Sequence, residues 1–316
     1  MSKLQKNLAF VFPGQGSQSV GMLNQLAASY PEVKQTFDKA SFVLGYNLWE
    51  LVTNGTEDEL NQTQNTQPIM LAAGVAVWEV WCKHSEIRPA WMAGHSLGEY
   101  TALVCSGALF FEDAVKLIAA RSRFMQEAVP VGEGAMAAIL GLDDKQVIEI
   151  CDNVAGTEII AAVNFNSPGQ VVIAGQKSAV ERATVVAKTA GAKRAVLLPI
   201  SVPSHCALMK PAADKLDETM EGIAFATPKM HLVHNVDVES HSAPDIIRNA
   251  LKEQLYKPVR WVESIELMHH KGVTTFVECG PGKVLTGLDK RIAKDAQHLA
   301  IYDPETLDNV LEQLND

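Results

Sequence analysis

A serine stands between two glycines in Ala93-Gly94-His95-Ser96-Leu97-Gly98-Glu99, and this stretch constrains the fold more than any other. Gly94-x-Ser96-x-Gly98 is the spacing of a nucleophile elbow, a strained turn from strand to helix that lifts a serine hydroxyl above a sheet. The turn brings backbone segments so close that a Cβ on either flank clashes, hence the glycines. Such short matches also arise in plain strand-turn-helix corners, so the surroundings decide. Ile87-Arg-Pro-Ala-Trp-Met-Ala93 reads as a short buried strand, and Leu97 to Ser106 as a helix closed by Gly107. That context makes Ser96 the candidate catalytic nucleophile.

The chain has 316 residues, enough for one large domain or two modest ones with a sizeable core. Hydrophobic residues make up 47% and charged residues 20%, the balance of a globular enzyme. A formal net charge of -10 argues against a nucleic-acid-binding surface, which is normally basic. The richest apolar run, Ile69 to Trp78, is too short to span a membrane. The N-terminal Met-Ser-Lys-Leu-Gln-Lys-Asn lacks the apolar core of a signal peptide. Five scattered cysteines (Cys82, Cys105, Cys151, Cys206, Cys279) with no C-x-x-C pair point to free thiols in a reducing, cytoplasmic setting.

Leu8 to Phe12 is an apolar run stopped by Pro13-Gly14, a buried first strand. The loop Pro13-Gly-Gln-Gly-Ser-Gln18 lacks the third glycine of G-x-G-x-x-G, which excludes a dinucleotide fingerprint. It is either a tight reversal or a nest of backbone N–H groups suited to an anion. Residues 20 to 80 read as mostly helical, with Gln67-Pro68 opening a long helix apolar on more than one side.

Placed at 100° per residue, the helix Glu112 to Ala128 carries an apolar arc that includes Leu117, Phe124 and Met125, with Arg121 in its middle. An arginine there snorkels out, joins a structural ion pair, or clasps a substrate carboxylate in a dry pocket.

Residues 130 to 200 change character. Strands at Ala135–Leu140, Ile159–Asn164, Gln170–Ala174 and Ala195–Pro199 alternate with helices at Asp143–Asn153 and Ser178–Ala190. The order βαββαβ is the ferredoxin-like arrangement. The expectation is therefore an α/β protein with a large α/β-hydrolase-like core, residues 1–129 and 201–316. A small ferredoxin-like domain, residues 130–200, is inserted in it.

Downstream, His205 is expected at the mouth of a helix whose N-cap is Ser204. His231-x-x-His234 falls in an expected strand, Lys229 to Val236, and His269-His270 in a helix. Neither pair has a third ligand at fixed spacing, so both read as solvated or packing histidines and no metal site is expected. Helices at Pro244–Leu255 and Val259–His270, a strand at Thr274–Glu278 and a closing helix at Lys283–Lys294 complete the reading.

Pro13-Gly-Gln-Gly-Ser-Gln18, Gly94-His-Ser-Leu-Gly-Glu99, Arg121, Ser201-Val-Pro-Ser-His205 and Gln254-x3-Pro258-Val-x-Trp261 follow in order across nearly the whole chain. Together they resemble the malonyl-CoA:acyl carrier protein transacylases, in the free-standing bacterial form of type II fatty-acid synthesis. The resemblance implies ping-pong transfer of malonyl from malonyl-CoA to the carrier protein's phosphopantetheine thiol, without a cofactor. It implies Ser96 as nucleophile and His205 as base, with a main-chain carbonyl near Gln254 orienting the histidine in place of a triad acid. It further implies an oxyanion hole from the N–H groups of Gln15 and Leu97, and Arg121 on the malonyl carboxylate. Asn164, Ser204 and Met125 are expected to line the site. The expected partners are malonyl-CoA, CoA and acyl carrier protein, with neither nucleic acid nor membrane, and the expected state is a monomer. Two rivals remain at this stage: a serine hydrolase, which needs an acidic triad member and has no use for Arg121, and a non-catalytic carrier-binding module.

Overall fold

Apolar runs of two lengths, short strands and one long helix, build the frame that holds the elbow. The structure is a computed structural model and describes residues 3–200 and 202–315. Strand β1 (Lys3–Phe12) is followed by α1 (Asn24–Ser29), α2 (Pro31–Leu44), α3 (Leu48–Asn54), α4 (Glu57–Asn61) and α5 (Thr63–His84). Next come β2 (Ile87–Gly94), α6 (Leu97–Cys105) and α7 (Phe111–Ala128). The run β3 (Gly134–Leu140), α8 (Asp144–Ala155), β4 (Ile160–Ser167), β5 (Gln170–Gln176), α9 (Lys177–Thr189) and β6 (Arg194–Leu197) follows. A 3-10 turn at Ala207–Met209 leads into α10 (Lys210–Met220), β7 (His231–Val233), α11 (Pro244–Gln254) and α12 (Trp261–His270). The chain ends with β8 (Thr275–Cys279), α13 (Val284–Ile292), β9 (Gln297–Ile301) and α14 (Pro304–Asn315).

Five strands form a parallel sheet in the order β7-β2-β1-β8-β9. Phe12 pairs with Gly94 and Ala93 with Val233, so β1, β2 and β7 end side by side. Their carboxyl ends therefore deliver the Pro13 loop, the elbow and His234 to one edge, where open α/β sheets bind ligands. Helix α5 lies between α2, α6 and α7 and is buried along almost all of Thr66–Trp81. Each large apolar side chain fully buried this way contributes roughly 1.5–3 kcal/mol.

The second sheet is antiparallel, in the order β4-β5-β3-β6. With α8 and α9 it encloses a core of its own that includes Ile139, Val147, Val171, Ile173 and Val180. Asp143 and Gln146 form a reciprocal capping box that starts α8. The two parts are stitched by backbone bonds from Phe165 N to Val259 O (3.0 Å) and from Val259 N to Val163 O (2.8 Å).

Three local expectations are corrected. Helix α5 begins at Thr63, so Pro68 lies inside it, where the missing N–H forfeits one bond to Gln64 while burial on all sides holds the helix. The strand expected over Lys229–Val236 shrinks to His231–Val233, an edge strand that pairs with β2 and makes a single antiparallel bridge from Val233 to Ser240. The helix expected to close the chain is followed by β9 and α14; β9 is a half-buried edge strand without a clean apolar run. Ser201, in the motif before His205 and at the expected domain boundary, lies outside the described residues.

Candidate active site

The elbow is strained as its glycines imply. Ser96 has φ 52° and ψ −108°, a conformation that costs a non-glycine residue on the order of 1–3 kcal/mol. A Cβ on Gly94 would sit 1.9 Å from the Gly98 carbonyl, and one on Gly98 would sit 2.1 Å from Phe12 O. The turn is pinned by His95 N to Phe12 O (3.0 Å) and by Asn235, whose Oδ1 accepts from Ser96 N and whose Nδ2 donates to Gly94 O, each at 2.8 Å.

His205 approaches from the loop before the 3-10 turn, buried, with its own φ at 64° and its N–H on Leu255 O. Its Nδ1 lies 2.6 Å from Gln254 O and its Nε2 2.8 Å from Ser96 Oγ. A carbonyl only accepts, so the ring proton sits on Nδ1 and leaves Nε2 to accept from the serine hydroxyl. Burial, then the Arg121 charge, pull the imidazole down to about 3, with the Gln254 bond opposing. Ser204 is not a helix cap: Cys206 precedes the 3-10 turn, and the Ser204 hydroxyl donates to Val202 O at 3.4 Å.

Arg121, on α7, is 1% exposed. Its Nη1 donates to Gln67 Oε1 (2.7 Å), and its Nη2 to Gln254 Oε1 (3.1 Å) and Ser96 Oγ (3.3 Å). Its guanidinium lies 5.5 Å from the Tyr100 ring centre, and Nε has no partner among the described residues. These oxygens are all neutral, and among the described residues no carboxylate touches the cation, although the Glu99 charge acts on it through space. An ordinary structural arginine would be paired there, because an uncompensated buried charge is costly.

A cavity of about 170 Å³ opens over these groups, between the two sheets. Gln15, from the loop after β1, borders it, and a Cβ on Gly14 of that loop would lie 2.5 Å from His95 O. Leu97 is the first residue of α6, so its N–H is one of the donors that no helical turn satisfies. His95, with its ring lowered by burial, meets Asn166 Oδ1 through Nε2 at 2.8 Å. The arrangement offers a hydroxyl beside a neutral base, the Leu97 N–H at the start of α6, and a fixed positive charge within reach of the same oxygen.

The chain's acyl transferase domain model match covers residues 9–307. Over 304 residues the chain is 57% identical to the malonyl CoA-acyl carrier protein transacylase of Escherichia coli O157:H7, covering 96% of this chain and 98% of that protein. The chain belongs to that family of acyl transferases. The structure of the Coxiella burnetii transacylase superposes with a TM-score of 0.97 at 49% identity, over 98% of both chains. A malonyl-transacylase solved in complex with a type II PKS acyl-carrier protein superposes at 0.96 and 55% identity, over 97% of this chain and 99% of that one.

In this acyl transferase, Gln15, Ser96, Leu97, Arg121, Met125, Asn164, Ser204 and His205 all border one cavity. Gln254 stands behind it, bonded to Ser96, Arg121 and His205. Sequence reasoning missed Gln67, His95, Asn166 and Asn235 as site residues. Gln67 was legible only as a polar residue opening an apolar helix; Asn235 left no local signal. Of the two expected alternatives, solvated or packing, His234 takes the second: it is fully buried, and its Nδ1 lies 2.7 Å from Glu99 Oε1. His231 is exposed and packs on Trp91, so the two histidines diverge.

Proposed function

We propose that this acyl transferase carries malonyl from malonyl-CoA to the phosphopantetheine thiol of acyl carrier protein through a malonyl-Ser96 intermediate. The observation that carries the reading is Arg121, a buried cation held by neutral oxygens 3.3 Å from the nucleophile. It supplies the charge a malonyl carboxylate lacks a partner for, and a bidentate clasp would orient the acyl group.

His205 Nε2 takes the Ser96 proton as Oγ attacks the thioester carbonyl. The tetrahedral oxyanion is held by the N–H groups of Gln15 and Leu97. Collapse breaks the C–S bond, and the imidazolium returns its proton to the departing CoA thiolate. The carrier thiol then gives its proton to His205, attacks malonyl-Ser96, and releases the serine oxygen with that proton. Gln254 O holds the imidazole in one tautomer in place of a triad acid. Asn164, Ser204 and Met125 shape the cavity around the acyl chain.

We read residues 130–200 as a ferredoxin-like domain inserted in an α/β-hydrolase-like one, residues 1–129 and 201–316. The antiparallel order β4-β5-β3-β6 and its separate core support this. The transacylase is taken to work in the cytoplasm as a monomer without cofactor.

Intact-mass analysis after incubation with malonyl-CoA tests the function. One malonyl group should appear on the protein, be absent from Ser96→Ala, and be removed by holo-carrier protein. Arg121→Ala should lose malonylation about a hundredfold or more while acetylation from acetyl-CoA falls far less, since a buried charge pair contributes several kcal/mol. Rapid release of free malonate without carrier protein would instead mark a hydrolase, and equal losses on both acyl groups would remove the carboxylate role.

A further inference from the structure

Behind the elbow lies a buried polar group that the transfer steps above leave unused. Glu99, one helical turn past Ser96 on α6, is fully buried, as are His234, Asn235 and Gln254. Every oxygen of the Glu99 carboxylate is engaged. Oε1 accepts from His234 Nδ1 at 2.7 Å; Oε2 accepts from Asn235 N at 3.1 Å and Gln254 Nε2 at 2.8 Å. We infer that Glu99 is a positioning residue for acyl transfer: it fixes the side-chain amide of Gln254 and the clamp of Asn235, and through them Arg121 and Ser96. The inference rests on the malonyl-transfer reading.

The direction in which the Gln254 amide faces links Glu99 to Arg121. Its Nε2 donates to two acceptors, Glu99 Oε2 and Ser96 O (2.9 Å), and only then does Oε1 face Arg121 Nη2. A flipped amide would set its oxygen against two acceptors and its NH2 against a guanidinium, losing three bonds at once. Glu99 therefore decides that Arg121 meets an acceptor there. The same oxygen anchors the backbone of Asn235, whose side chain bridges Gly94 O and Ser96 N across the strained turn. Gln254 O meanwhile holds His205. Nucleophile, base and cation thus share one support, whose centre is a carboxylate that touches none of the reacting atoms.

Two conservative variants separate reach from charge. Glu99→Asp keeps the charge but withdraws the carboxylate by about 1.5 Å, one C–C bond. Glu99→Gln keeps an oxygen for Asn235 and Gln254, and its NH2 can face His234 Nδ1 once that ring moves its proton to Nε2, which is unpartnered among the described residues. Each full-length variant is checked for cooperative thermal unfolding, and malonylation and acetylation of Ser96 are then timed by quench and intact mass. Glu99→Gln should stay within about threefold of wild type, as its hydrogen bonds persist. Glu99→Asp should lose malonylation roughly ten- to hundredfold, lose acetylation less, and raise KM for malonyl-CoA. Equal losses on both acyl groups, or a Glu99→Gln protein worse than Glu99→Asp, overturn the inference. If Glu99→Asp does not fold, Gln254→Leu decides, since it removes the amide but keeps the carbonyl on His205. An unchanged malonyl-to-acetyl ratio in that variant overturns the inference equally. Failure of wild-type protein to take malonyl would strike the transfer reading itself; a malonylated wild type with unmoved ratios strikes only Glu99.

Discussion

His205 and Arg121 both reach Ser96 Oγ, at 2.8 and 3.3 Å, and each alters what the other can do. Burial and the guanidinium hold the imidazole at about 3, well below its ordinary 6.5. A base works in its neutral form, which exists above its pKa; lowering the pKa extends activity toward acid. The acid limb of kcat/KM for malonyl transfer, which reports the free enzyme, should therefore fall well below pH 6.5. Once a malonyl carboxylate sits on Arg121, the cation's pull on His205 is largely cancelled and the imidazole pKa rises. Acetyl brings no such charge. The acid limb of the bound complex should accordingly lie at higher pH for malonyl than for acetyl, measured as single-turnover acylation across pH. A free-enzyme limb near 6.5, or identical bound limbs for both acyl groups, would contradict this electrical coupling.

Elements explain why some of this was legible in the chain and some was not. The elbow was readable because its constraint is local: Gly94 and Gly98 lie within four residues of each other, and a Cβ on either would fall 1.9 or 2.1 Å from backbone. Arg121 was readable because a helix repeats every 3.6 residues, so a lone cation in an apolar arc stands out. Glu99 was quoted within the motif but given no role, because its partner His234 lies 135 residues away and such contacts leave no periodic trace. Helix α5 hid its start for a related reason: its packing against α2, α6 and α7 outweighs the proline that locally signals a beginning. The same distinction predicts what alanine does at two glycines. In Gly98→Ala the new Cβ enters the Phe12 carbonyl, so α6 and β1 must part; the loss should exceed about 2 kcal/mol, beyond ordinary overpacking at the lower end. Gly45, the left-handed cap of α2 with φ 78°, has open space around its Cβ, and Gly45→Ala should cost only about 1 kcal/mol of backbone strain. Denaturant unfolding compares the two, and equal losses would mean that close approach does not govern the elbow.

At the scale of the whole molecule, the cavity lies where the antiparallel sheet faces the carboxyl ends of β1 and β2, and residues of both parts line the space above Ser96. Met136, Asn164 and Val172 come from the smaller sheet, Gln15, Leu97 and Arg121 from the larger part. Enclosure keeps water from an ester that must survive until a second substrate arrives. That substrate, in the proposed reaction, is an acidic carrier protein meeting a chain of formal net charge -10, so long-range repulsion has to be overcome by a local basic patch. Lys193 and Arg194 are exposed at the start of β6, and that strand runs directly to Leu198 and Ile200 on the cavity wall. Lys290 and Arg291, exposed at the end of α13, form the other basic pair on the larger part. Reversing Lys193 and Arg194 to glutamate should raise KM for holo-carrier protein about tenfold at low salt, the scale of steering effects on association. Malonylation of Ser96 from malonyl-CoA should be unaffected, because that half-reaction never meets the carrier. The defect should shrink as ionic strength rises and the Debye length falls to about 8 Å at 0.15 M. Reversal at Lys290 and Arg291 runs beside it, and if neither pair changes the carrier-dependent rate or its salt dependence, the carrier docks on another face.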